Sequence, residues 1–62
     1  MEERGKMLKE LANAYDRLAS MHESLAYDAC NRHDPYSVYF NVKQATAFRT
    51  LITKIERNYT QF

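Results

Sequence analysis

Apolar positions in the first half of the chain repeat every seven residues. Leu11-Ala12, Leu18-Ala19 and Leu25-Ala26 recur at that interval, and Leu8, Tyr15, His22 and Ala29 fill a second column of the same heptad. Seven residues make two helical turns, so each column runs along one line of a helix. The outward positions hold Lys9, Glu10, Asn13, Asp16, Arg17, Ser20, Glu23, Ser24 and Asn31. The pattern predicts a helix from about residue 6 to about residue 32. In the second half, Val38, Val42, Ala45, Phe48, Ile52, Ile55 and Tyr59 form one stripe with Leu51 beside it. They predict a second helix over about 35–59. This helix is rich in valine, isoleucine and threonine, which lower intrinsic propensity, so it depends on packing to stay formed.

Gly5 and Pro35 are the only glycine and proline, and both read as helix breakers. Asp34 followed by Pro35 reads as an N-cap and a first helical position, with the turn at about 33–35. Helices of matched length joined this tightly are antiparallel neighbours. The fold class is therefore all-α, an antiparallel two-helix hairpin in a single domain over residues 1–62. Folding at the turn pairs the stripes as Ala29 with Val38, Leu25 with Val42, His22 with Ala45 and Leu18 with Phe48. The pairing continues as Tyr15 with Ile52, Leu11 with Ile55 and Leu8 with Tyr59. This register assigns the leucines to the seam with the second helix and leaves Ala12, Ala19 and Ala26 as a ridge beside it. Small residues let backbones approach closely, so the ridge, together with Met21, is the expected self-association surface. Two hairpins joined there make a homodimeric four-helix bundle.

Size points the same way. A hairpin of 62 residues buries little apolar surface, and small chains compensate with disulfides, metals or self-association. The one cysteine, Cys30, cannot form an internal disulfide, and with no apolar leader run it indicates a reducing, cytoplasmic setting. No stretch approaches the roughly 20 apolar residues of a membrane span. Net charge is +1, with residues 1–33 leaning acidic and residues 34–62 leaning basic, so bulk electrostatics select no partner.

Candidate chemistry gathers at the turn. Cys30 and His33, with Asp28 or Asp34, have zinc-ligand types but lack the paired spacing of a structural site. As thiolate and base they lack oxyanion donors or a shaped pocket. Neither enzyme activity nor a metal or cofactor is expected. Tyr27, Arg32, His33, Tyr36, Tyr39 and Phe40 are instead read as a partner-binding end, because aromatic and arginine side chains dominate interface energetics. His22, at a seam position, is read as a polar residue that sets register, with a pH-sensitive dimer as its functional variant.

The leading functional reading is a small non-enzymatic, self-associating helical protein. It binds a protein partner as adaptor, chaperone or inhibitor, in a bacterium or phage. A second reading is a nucleic-acid (RNA)-binding regulator using Lys43, Lys54 and Arg57 on the outward face of the second helix. A third is capture of a small anionic ligand between subunits, lined by Arg32, His33 and the tyrosines.

Overall fold

A computed structural model describes residues 2–60, with side chains described over residues 3–58. Helix α1 spans Glu2–Asn31 and helix α2 spans Pro35–Thr60. They pack against each other as an antiparallel hairpin of 48 × 14 × 10 Å. Helix α1 starts ahead of the expected residue 6 and runs through Gly5. One glycine inside a helix costs only about 1 kcal/mol, which an amphipathic helix of 30 residues absorbs. Gly5 also stands one heptad before Ala12, so it extends the column of small residues rather than ending the helix.

Three residues connect the helices. His33 takes the left-handed conformation, with φ 57°. Its N–H donates to the Cys30 carbonyl at 3.1 Å, and the Asp34 N–H donates to the Ala29 carbonyl at 2.9 Å. Those two bonds form a Schellman cap with histidine where glycine is usual. Asp34 then caps the next helix. Its carboxylate accepts from the Ser37 N–H at 3.2 Å and from the Ser37 hydroxyl at 2.7 Å. Pro35 occupies the first helical position, where its missing N–H costs nothing. Two α2 threonines, Thr50 and Thr53, return their hydroxyls to the carbonyls of Thr46 and Arg49. The β-branched helix thereby satisfies these polar groups internally.

The interior is built of small side chains. Ala19, Ala26, Ala29 and Ala45 are buried with Asn41, and no large side chain among the described residues is fully buried. Ala19 is 0% and Ala26 7% exposed, whereas Leu11 and Leu25 are each 43% exposed. This corrects the expected seam. The column Leu8, Tyr15, His22 and Ala29 does face α2. What completes it is the alanine column and not the leucine column, a rotation of α1 by roughly 50°. Large-against-small packing accounts for the choice. The Phe48 ring stacks on Tyr15 (centroids 5.7 Å apart) and on His22 (5.8 Å), and so sits at the level of Ala19 between them. The expected register stands, with His22 level with Ala45 between Asn41 and Phe48, but Leu25 and Val42, 43% and 50% exposed, lie on opposite sides of the seam. The expected pairing of Leu8 with Tyr59 lies outside the described side chains.

Candidate functional site

Polar contacts between the helices fix which side of the hairpin is which. Arg49, on α2, reaches back to two acidic residues one heptad apart on α1. Its Nε and Nη2 donate to the Glu23 carboxylate at 2.9 and 2.8 Å, and its Nη1 donates to Asp16 at 3.0 Å. The two-pronged bond from Arg49 holds the Glu23 carboxyl below the usual carboxylate range, while the two carboxylates hold the Arg49 guanidinium still more firmly protonated. All three groups are exposed, so the cluster orients the helices more than it stabilises them.

Inside the seam lies a polar layer. The Asn41 Nδ2 donates to the Ser37 carbonyl at 2.9 Å, which turns Oδ1 toward His22 at 2.8 Å from Nδ1. With Oδ1 as the acceptor, His22 must carry its proton on Nδ1. Asn41 is buried and His22 half-buried, and no buried side-chain polar atom among the described residues lacks a partner. The pair joins the two helices at one level of the seam, and Asn41 is the partner that the expectation for His22 left out.

The side away from Arg49 is apolar. Leu11, Leu18 and Leu25 lie along one line of α1, with Met7, Ala14 and Met21 along the next. On α2, Phe40 and Leu51 are about three turns apart on that same side. Met7 is 68% exposed, Phe40 51%, Met21 47% and Leu51 38%. Seven large side chains, at roughly 100 Å² each, leave on the order of 700 Å² of apolar surface in water. That exceeds the few hundred Å² usual for a contiguous patch on a monomer, and it approaches the roughly 800 Å² that one partner contributes to a standard interface.

Most of the residues singled out from sequence lie elsewhere. Ala19 and Ala26 are enclosed by the chain's own α2 and Ala12 is half-buried, so the alanine ridge offers no surface to a second copy. Met21 alone of that group lies on the leucine face. The six turn-end residues divide among several places. Phe40 belongs to the leucine face, Tyr27 to the Arg49 side, and Tyr36 to the back of α2 in line with Lys43. His33 and Tyr39 line an open, mainly apolar groove of about 620 Å³ with Cys30, Pro35, Val38 and Val42. Arg32 is ion-paired with Asp28 at 3.6 Å. Lys43 Nζ lies 5.9 Å from the Tyr39 ring centroid, and Lys54, three turns further on, shares the back of α2 with it and with Arg57, all three exposed.

Among the described residues no cluster of three or more His, Cys, Asp or Glu side chains is placed to hold a metal ion, and no helix is long and apolar enough to cross a membrane. Two residues that organise the hairpin, Asn41 and Arg49, escaped the sequence reading. Arg49 had a signal in the heptad spacing of Asp16 and Glu23, which places both carboxylates on one line of α1. Asn41 had one in its position, a heptad before Phe48 on the inner stripe. Comparison with known protein families, with curated proteins and with solved structures returns no match.

Proposed function

We propose that the protein is a non-enzymatic, self-associating helical protein. Two hairpins cover each other's leucine faces as a homodimeric four-helix bundle, which binds a protein partner as an adaptor, chaperone or inhibitor. One observation carries this reading: the smallest side chains fill the interior while leucine and methionine stand in water. A hairpin that worked alone would gain by the reverse arrangement, because burial of a leucine stabilises by about 1.5–3 kcal/mol and burial of an alanine by far less. Pairing of leucine faces supplies the missing interior and gives every helix two neighbours. The turn-end groove and Tyr36, 83% exposed, lie off the leucine face and remain accessible to a partner in such a dimer.

Light scattering on Leu18→Lys tests the reading. The hairpin tolerates a lysine there, since its tip reaches water, but the core of a bundle does not tolerate two buried charges. The expected result is a fall in mass from two chains to one, with Ser20→Lys, an exposed position off the leucine face, unchanged. A wild-type chain that is monomeric at about 100 μM overturns the proposal, since association of this kind reaches micromolar affinity or better.

A further inference from the structure

The back of α2 carries one sign of charge. Lys43 and Lys54 lie along one line of it, roughly 16 Å apart, with Arg57 beside them. From Asp34 onward the chain has two acidic side chains, and neither is on that side. Asp34 caps the start of α2 through Ser37, and Glu56 stands one heptad after Arg49, on the Arg49 side. Among the described residues neither lysine is ion-paired with a carboxylate. The outward side of α1 differs, because Lys6, Lys9 and Arg17 share it with Glu3 and Glu10. A helix face that merely meets water is mixed in this way, and the back of α2 is not.

Two tyrosines extend the basic line toward the turn. Tyr36, one heptad before Lys43, is 83% exposed, and Tyr39, one turn before it, is 68% exposed. Lys43 Nζ stands 5.9 Å from the Tyr39 ring centroid, so a cation and an aromatic ring already form one unit. Lysines beside exposed rings suit an unpaired nucleic-acid strand, whose phosphates need cations and whose bases need flat faces to stack on. Two or three phosphate contacts alone bind weakly, and each stacked base adds roughly fivefold or more. An acidic peptide satisfies the lysines but brings no flat groups for the tyrosines, and a duplex keeps its bases stacked on one another. We propose that the back of α2, from Tyr36 to Lys54, binds a single-stranded nucleic acid, with phosphates on Lys43 and Lys54 and bases on Tyr36 and Tyr39. This goes beyond the protein-partner reading, and the surface stays open when the leucine faces are covered.

Fluorescence anisotropy on the full chain tests this, with a labelled oligouridylate of about 12 nucleotides as the probe and a labelled oligoglutamate of equal length beside it. The expected Kd for the oligouridylate is about 100 μM or tighter at about 50 mM salt, weakening roughly sevenfold to twentyfold by about 200 mM. Tyr36→Ala should weaken binding by roughly fivefold or more, with the circular dichroism spectrum unchanged because the ring is so exposed. Lys43→Gln with Lys54→Gln should weaken binding and cut its salt dependence to about threefold or less. Lys9→Gln with Arg17→Gln, on the mixed side of α1, should change neither. No binding at about 50 mM salt overturns the proposal. So does binding that Tyr36→Ala leaves unchanged, or that the α1 pair weakens as much as the α2 pair. Oligoglutamate bound as tightly as oligouridylate also overturns it, and assigns the surface to an acidic protein.

Discussion

Two columns of α1 stand one residue apart in sequence and meet opposite fates. Ala12, Ala19 and Ala26 lie against α2, with Gly5 continuing their line; Leu11, Leu18 and Leu25 lie beside them and remain substantially in water. On the alanine side the helices approach closely enough for Phe48 to stack on Tyr15 and His22. They are also close enough for His22 to bond Asn41 and for Arg49 to span to Glu23 and Asp16. On the leucine side the three leucines stay 38–43% exposed. The contrast teaches that the largest hydrophobic residues need not mark the nearest neighbour. A close helix pair is made by small residues, because only they leave room for the side chains of the opposing helix.

The sharpest test of this contrast exchanges sizes across adjacent positions. Ala19→Leu forces a large side chain into a seam with no exposed area and should destabilise the hairpin by about 3 kcal/mol, at the upper end of the overpacking range. Leu18→Ala removes atoms that the hairpin leaves partly in water and should cost roughly 1 kcal/mol in dilute solution. Its cost should grow with protein concentration as the face becomes covered, whereas the cost of Ala19→Leu should not. Thermal unfolding monitored by circular dichroism over a hundredfold concentration range reads both. Equal costs for the two variants at every concentration would erase the distinction between the columns.

A smaller effect is expected from the polar layer inside the alanine seam. Asn41→Ala leaves the Nδ1–H of His22 facing the seam without its acceptor and should cost about 1–3 kcal/mol. Replacing both residues, as His22→Leu with Asn41→Leu, should cost less than the single change, because no polar group is then left unpaired. Urea unfolding of the three variants as a double-mutant cycle measures the coupling, and a coupling energy near zero would remove the pair from the seam's account.

The smallest effect lies in acid. Glu23 is held below its ordinary pKa by Arg49, and Asp34 by its bonds from the Ser37 hydroxyl and N–H. A carboxyl whose pKa is depressed on folding contributes stability that is present above the ordinary carboxylate range and is lost as the pH falls through it. The melting temperature should therefore hold between about pH 5 and 7 and drop by a few degrees below about pH 4. Glu23→Gln and Asp34→Asn should each flatten that drop, and a melting temperature just as acid-sensitive in both variants would sever the link to these carboxylates.

The chain alone fixes two helices, their antiparallel pairing and the turn, because these depend on local signals: heptad spacing, Asp34 before Pro35 and the lengths of the apolar runs. It also places the Leu8, Tyr15, His22 and Ala29 column at the seam, since that column is inward whichever flank accompanies it. The rotation of α1 about its axis is not a local property. Leucine and alanine columns flank the central one equally, and ranking them by hydrophobicity selects the leucines. Packing selects the alanines, because the rings of Tyr15, His22 and Phe48 and the side chain of Asn41 need the space that small neighbours leave. That choice turned the leucines outward and moved the candidate self-association surface from Ala12, Ala19 and Ala26 to Leu11, Leu18 and Leu25.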